Sequence, residues 1–344
     1  MMSVSASAPG KLILLGEHAV VYGHPCIVTA VDLRIRASAR MSREDQVIIR
    51  VPGLSEPFAT NIEGMLRASR FPSAVRFVAL AVRRLWEHIG RTFGVEIATC
   101  GQVLIHNNYG GNQNLSKSEF TASYGLGSSS AVTVATIKAL ARIAGQDMDA
   151  DSIFRLGREV VLAAQEGFSS GFDVAAATYG GTLYYVTGGK MIAPIAVNEL
   201  PLVVGYTGIK ADTTECIKRV ASRQQRFPLL VNTIMESIAP LVNEAKVALG
   251  RGDLPEVGHL MNLNQGWLQA LNVSTHELDS LIHAARCAGA YGAKLSGAGG
   301  GDCMIALVDG DNRSKVERAI EDSGIPGARV IQIRTGAEGV RIDG

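Results

Sequence analysis

After Pro72 the apolar residues Val75, Val78, Val82 and Leu85 recur at helical spacing, which predicts an amphipathic helix running to about His88. Ala131 to Ala144 shows a second apolar helical pattern, and Asp151 to Glu166 reads as another helix. Val103 to Ile105 looks like a strand end, followed by a polar loop rich in Gly and Asn from Asn107 to Ser118. Thr182 to Val186 reads as a strand. From Thr213 the pattern is mainly helical to about Ala288, then strand (Cys303 to Val308), helix (Ser314 to Asp322) and strand (Val330 to Ile333). Alternating strands and helices without low-complexity tracts or short repeats predict an α+β or α/β enzyme. A boundary near Val197 to Leu202 divides the chain into 1–197 and 198–344.

Composition narrows the picture. A chain of 344 residues with 47% hydrophobic content can bury one or two cores, and two domains is the expectation. A net charge of +1 with no block of like charges argues against a nucleic-acid or acidic-membrane partner. Five cysteines, odd in number, scattered and without a C-x-x-C pair, are most simply reduced thiols of a cytoplasmic protein. No apolar run reaches the length that spans a bilayer, and Met1 to Pro9 lacks the basic and apolar regions of a signal peptide.

The candidate chemistry begins at Tyr124-Gly-Leu-Gly-Ser-Ser-Ser-Ala131, where small residues lead directly into an apolar helix. Gly125 and Gly127 permit backbone angles closed to residues with a Cβ. Serines can cap the helix or turn hydroxyls toward phosphate or Mg²⁺, and the helix N-terminus adds partial positive charge. The run lacks the Gly-Lys-Ser/Thr ending of a Walker loop and the spacing of a dinucleotide fingerprint. Taken alone it is either a triphosphate cradle or a ligand-free, Ser-capped helix start. Two further segments add to it. Ala8-Pro-Gly-Lys-Leu-Ile-Leu-Leu-Gly-Glu-His-Ala-Val-Val-Tyr-Gly23 sets Lys11, Glu17 and His18 in an apolar strand-and-turn pattern, where buried charges need partners. Lys294-Leu-Ser-Gly-Ala-Gly-Gly-Gly-Asp-Cys303 puts four glycines in five residues before a strand, the mark of backbone in close approach to a ligand or another loop, or of a flexible surface loop. Asp173 is a lone carboxylate among small and apolar residues in Gly167-Phe-Ser-Ser-Gly-Phe-Asp-Val-Ala-Ala-Ala-Thr-Tyr-Gly-Gly181. Paired with Lys11 it can accept or polarise a hydroxyl proton; alternatively it caps the segment Val174 to Thr178.

These segments, in this order, resemble the GHMP kinase superfamily over nearly the whole chain. Gly16-Glu-His-Ala-Val-Val-Tyr-Gly23, Met261-Asn-Leu-Asn-Gln-Gly-Trp267 and Ala288-Gly289 through Ser296-Gly-Ala-Gly299 are similar to its mevalonate kinases. Tyr124-Gly-Leu-Gly-Ser-Ser, Gly171-Phe-Asp-Val-Ala-Ala-Ala and Gly299-Gly-Gly-Asp-Cys303 look more like its phosphomevalonate kinases. The resemblance implies an α+β, two-domain fold, with an N-terminal domain like ribosomal protein S5 domain 2 that binds ATP and a ferredoxin-like C-terminal domain. It implies ATP and Mg²⁺, a small-molecule acid as acceptor, and transfer of phosphate to the 5-hydroxyl of mevalonate; the alternative acceptor is 5-phosphomevalonate. A decarboxylase of the same superfamily and a non-catalytic ATP-binding relative stand behind these. A homodimer stays open.

Carried over residue by residue, the resemblance makes Lys11 and Asp173 the catalytic pair. Gly125, Leu126, Gly127, Ser128, Ser129 and Ser130 then hold the phosphates, with Ser129 the Mg²⁺ ligand. Glu17, His18 and Thr213 approach the acceptor, although Glu17 and His18 also fit satisfied structural roles. Gly297, Gly299, Gly300 and Gly301 support the phosphate turn. One departure stands out: the family's second acidic Mg²⁺ ligand, about three turns before the Ser-Gly-x-Asp aspartate, falls at Val161 and Leu162. Glu159 and Glu166 are the nearest carboxylates. Ser118 to Tyr124 replaces the usual Pro-x-Gly stretch. A phosphorylated acceptor would need added cations, for which Lys117 and Lys210 are candidates or else solvated surface lysines.

Overall fold

The site owes its position to one strand buried on both faces. In β1 (Ser3–Leu15) side chains alternate between two hydrophobic cores, and a register shift between Pro9 and Gly10 reverses the phase, so Ala6 and Ala8 share one core with Ile13 while Leu12 and Leu14 enter the other. A strand buried on both sides reads as a continuous apolar run, which is what Leu12-Ile-Leu-Leu15 is. The computed structural model describes residues 3–42, 44–102, 124–167 and 169–343. The expected strand end at Val103 to Ile105 and loop at Asn107 to Ser118 lie outside the described residues, as does Lys117.

The first sheet is formed by β1, β2 (Pro25–Met41), β3 (Gln46–Arg50), β4 (Phe58–Asn61), β5 (Val95–Gln102), β6 (Thr182–Val186) and β7 (Met191–Ile195). β1 pairs antiparallel with β2, which pairs on its other side with β5 and, lower down, with β6; β3 runs parallel to β5. Helices α1 (Ile62–Arg67), α2 (Arg76–Ile89), α3 (Ser128–Ile143), α4 (Ala150–Ala164) and α5 (Phe172–Tyr179) belong with this sheet, α2 to α5 covering the face that carries Ile13 and Val28. The second sheet is antiparallel, in the order β11-β8-β10-β9, from β8 (Leu202–Tyr206), β9 (Gly292–Ser296), β10 (Cys303–Leu307) and β11 (Arg329–Ile331). Helices α6 (Thr213–Arg226), α7 (Pro228–Arg251), α8 (Leu254–Ala270), α9 (His276–Cys287) and α10 (Arg313–Glu321) pack with it. The last strand, β12 (Arg341–Asp343), returns to pair with β1 in the first sheet.

Among the described residues the predicted elements are present, with informative differences. The long helical stretch after Thr213 is four helices. Pro228 starts α7 as its first helical residue, the left-handed Gly252 ends it, and Asp253 and Thr275 cap α8 and α9 through their side chains. α3 begins at Ser128, earlier than the apolar pattern suggests, because Gly127 (φ 78°) turns the chain straight into the helix. α4 stops at Ala164, where Glu166 (φ 53°) and Gly167 (φ 93°) leave helical geometry.

α8 lies close on β9 because Gly258 and Gly292 face each other: a Cβ on Gly292 would overlap the backbone of Gly258, and one on Gly258 would meet Tyr291 at 2.5 Å. Gly292→Ala is therefore expected to lower the unfolding free energy by about 1–3 kcal/mol through overpacking. Gly250→Ala, in α7 where a Cβ meets nothing within 4 Å, should leave stability unchanged or raise it by about 1 kcal/mol. Urea unfolding of the two variants checks this; equal effects would contradict the close packing.

Candidate active site

The phosphate run docks on β1 through main chain. Lys11 N–H donates to the Leu126 carbonyl at 2.8 Å, and a Cβ on Gly10 would sit 2.8 Å from that same oxygen. Gly125 (φ 72°) and Gly127 (φ 78°) occupy left-handed backbone, and each is closely covered: a Cβ on Gly127 would meet Lys11 Cγ at 2.9 Å, and one on Gly125 would meet Asp302 Oδ2 at 2.6 Å. Tyr124 anchors the run to the second sheet. Its ring stacks edge-on against Tyr206 at 5.0 Å, its hydroxyl accepts from Arg329 at 2.9 Å, and its carbonyl accepts from the Cys303 thiol at 3.2 Å. Gly125, Gly127, Ser128 and Ser129 line a cavity at the N-terminus of α3, where free amides and the helix dipole favour an anion. Leu126 instead turns its side chain into the second core, and Ser130 is fully buried behind the cavity wall.

Lys11 and Asp173 line the same cavity without a direct ion pair. Lys11 donates from Nζ to the Gly125 carbonyl at 2.8 Å and lies 5.7 Å from the centre of the Phe172 ring. Burial pulls its pKa below the ordinary lysine value; the charges of Asp173 and then Asp302 oppose that shift. Asp173 sits in the first turn of α5, after Gly171 (φ 89°), rather than at the cap position itself. Its Oδ2 accepts from Ser130 Oγ at 2.6 Å and its Oδ1 from Val174 N–H at 3.0 Å. Both contacts fix the orientation of the Asp173 carboxyl group at the start of α5.

Glu17 and His18 form the opposite wall, in a turn tied to the second sheet. Glu17 is buried in an ion pair with Lys294, whose side chain is fully enclosed. Burial pushes the Glu17 carboxyl up and the Lys294 ammonium down in pKa, and the pairing opposes both shifts. His18 Nε2 contacts the Ala298 carbonyl at 2.9 Å; a carbonyl only accepts, so that nitrogen carries the proton. Burial lowers the pKa of His18 and keeps the ring neutral, leaving Nδ1 an acceptor. Thr213, the exposed first residue of α6, lines the cavity together with Gly297, Gly299 and Gly301. The glycines of that turn pack mainly against segments around the second sheet. Gly299 abuts the Val273 carbonyl, Gly300 donates its N–H to Val273 O at 2.8 Å, and Gly301 lies against Ile209. Asp302 and Cys303 make the contact with the phosphate run.

On α4, Val161 is buried in the first core, Glu159 and Glu166 are exposed, and the residue that lines the cavity is the neutral Gln165. A carboxylate arrives instead from the other side. Asp302, buried and at φ 56°, lines the cavity with Oδ1 accepting from Ala211 N–H at 3.1 Å. Burial raises its pKa; the Ala211 amide and Lys11 oppose that. Asp302 and Lys294 were not singled out as site residues by sequence reasoning, and the signal available was a charge at either end of the glycine run. Lys210 is exposed and does not line the cavity.

Residues 76–181 match the family model described as the GHMP kinases N terminal domain, and residues 245–325 the one described as GHMP kinases C terminal. A mevalonate kinase of Pyrococcus horikoshii is 38% identical over 99% of this chain and 98% of its own length, and one of Methanothermobacter thermautotrophicus is 34% identical over 90% and 91%. Among solved structures, the Methanococcus jannaschii mevalonate kinase superposes with a TM-score of 0.77 at 25% identity, covering 98% of both chains. The L. major mevalonate kinase in complex with R-mevalonate superposes with a TM-score of 0.73 at 26% identity, over 96% and 95%. A Streptococcus pneumoniae phosphomevalonate kinase shares the fold, with a TM-score of 0.78 at 20% identity over 97% and 100%. With both family models matched across more than half of its length and relatives aligned from end to end, the chain belongs to the GHMP kinase family.

Proposed function

We propose that this kinase transfers the γ-phosphoryl group of ATP to the 5-hydroxyl of mevalonate. The observation that carries the reading is the convergence, in one cavity, of the glycine-serine turn, Lys11 and Asp173, which lie far apart in sequence. Whole-length similarity to mevalonate kinases supports the choice of acceptor. So does the charge of the cavity: among the described residues Lys11 is the one lysine or arginine that lines it, and its ammonium is already engaged by Gly125. A phosphorylated acceptor would ask for further cations there.

The residues present fit a hard divalent cation. Hydroxyls of Ser128 and Ser129 and the carboxylates of Asp173 and Asp302 line the cavity next to the phosphate turn, and oxygen donors of this kind suit Mg²⁺. When bound, Mg²⁺ supplies positive charge that neutralises the phosphate oxygens as they transfer. The chain's own residues do the rest. The turn amides and the α3 N-terminus hold the triphosphate, Asp173 accepts or polarises the proton of the acceptor hydroxyl, and Lys11 offsets the negative charge that collects between them. Glu17 and His18 bound the acceptor on its far side, and Thr213 closes the rim.

Three outcomes are expected. Asp173→Asn should lower kcat by about 10²–10⁴-fold, the usual reach of a positioned base, while titration calorimetry finds ATP binding unchanged; turnover near the wild-type rate would remove Asp173 from the chemistry. Ser129→Ala should raise the Mg²⁺ concentration for half-maximal rate by about tenfold, and an unchanged requirement would take the ligand role from it. Steady-state assays should give a kcat/KM for mevalonate at least about 100-fold above that for 5-phosphomevalonate, roughly the difference a buried, unsatisfied charge makes. Preference for the phosphorylated acid would turn the assignment to the alternative that the Gly299-to-Cys303 turn resembles.

A further inference from the structure

We propose that the chain carries a second ligand site, apart from the catalytic cavity, that takes a small phosphate monoester with an apolar body. The site is a cleft of about 790 Å³ between α4 and the hairpin of β6 and β7, and it shares no lining residue with the catalytic cavity. That volume lies in the range of small-molecule sites. Asp151, Phe154, Arg155 and Arg158, three and four residues apart, present one face of α4 to the cleft. The turn Gly188-Gly189-Lys190 and strand β7 supply the facing wall. Gly189, at φ 75°, lets that turn lie against α4: a Cβ there would sit 2.7 Å from the Phe154 ring, so the width of the cleft is fixed by packing.

Charge names the head group. Arg155, Arg158 and Lys190 line the cleft against a single carboxylate, Asp151, which already accepts from the Tyr179 hydroxyl at 2.7 Å. Among the described residues the side chains of Arg158 and Lys190 make no hydrogen bond or ion pair, and Arg155 bonds only to Ser152 Oγ at 3.1 Å. Arg158 is half-buried and its stem is held in place: a Cβ on Gly171 would lie 3.1 Å from its Cδ, and one on Gly188 would lie 3.8 Å from its Nη2. A guanidinium fixed in this way has little freedom left to lose on binding, and its planar fork with further cations nearby suits the two charges of a phosphate monoester. The walls name the rest of the ligand. Phe154, Leu183 and Ile195 are buried beneath the cleft, and Met191 stands at its edge 50% exposed. A hydrocarbon body beside the head group would cover that apolar surface.

The test is calorimetric titration of the full chain with hexyl phosphate and, separately, with inorganic phosphate, with ATP binding measured in parallel. Hexyl phosphate is expected to bind at least about tenfold tighter than inorganic phosphate, because each buried methylene adds affinity. Arg158→Gln should weaken hexyl phosphate by about tenfold or more, the loss of one charge-assisted hydrogen bond, while its Kd for ATP stays within about twofold of wild type. Equal affinity for the two probes, no binding of hexyl phosphate, or unchanged affinity in Arg158→Gln overturns the proposal. So does displacement of hexyl phosphate by ATP, which would put the probe in the catalytic cavity. Should Arg158→Gln not fold, the double variant Arg155→Gln/Lys190→Gln, altered only at exposed positions, decides on the same criterion. None of these readouts depends on the acceptor, so a chain that failed to phosphorylate mevalonate would still decide the question.

Discussion

Charge held out of water is the constraint on which the rest of this structure depends. β1 is buried on both faces, so the residues at the end of its apolar run, Lys11 before it and Glu17 just after, are enclosed where the two cores meet. Desolvating an ion costs several kcal/mol even after relaxation, and the fold meets that cost with specific partners: Gly125 O for Lys11, Lys294 for Glu17, Ser130 and the start of α5 for Asp173. Replacing such a network with apolar side chains would be neutral or favourable for stability alone. Its persistence in a cavity is therefore an argument about chemistry.

The balance of charge in that cavity also explains how its labour divides. Lys11 shares the cavity wall with three carboxylates, Glu17, Asp173 and Asp302, while Lys294, behind the wall, is committed to Glu17. On the function proposed above, a triphosphate entering such a site would not rely on side-chain cations, and its negative charge would fall to main-chain amides, helix dipoles and a divalent ion. Gly125 and Gly127 are needed at positive φ because a side chain at either would be strained there and would strike Asp302 or Lys11.

Much of the fold was legible because periodicity reports burial locally. α2, α4, β6 and β10 each show their own pattern, and the cap residues Asp253 and Thr275 mark breaks that a coarse hydropathy reading runs through. The meeting of Lys11 with Asp173 was not legible in that way; nothing local links two residues brought together by sheet and helix packing, and the family resemblance supplied the pairing. The same limit applies to the glycine run. Its composition announces a close approach but not to what, and the structure answers with Val273, Cys216 and Ile209 for the glycines and with Gly125 for Asp302. Asp302 escaped notice as a site residue since a carboxylate beside glycines carries no periodic signal. The acidic residue that the family carries on α4, missing from this sequence at Val161 and Leu162, gave a different lesson: the helix ends at Ala164, Gln165 lines the cavity and Glu166 is exposed.

The two halves of the site differ in what sustains them. The turn at Gly125 to Ser129 rests on β1 by the Lys11-to-Leu126 hydrogen bond and leads directly into α3, with Tyr124 tying its start to the second sheet and Asp302 and Cys303 closing over it. The wall formed by Glu17 and His18 leans on the second sheet and its helices residue by residue. Gly16, Glu17 and His18 are held by Asn264, Lys294 and Ala298, all from the second unit, and Ser296 Oγ both donates to and accepts from the backbone of Ile13. A residue such as His18 in left-handed backbone costs of order 1–3 kcal/mol, so the turn would relax if those bonds were lost.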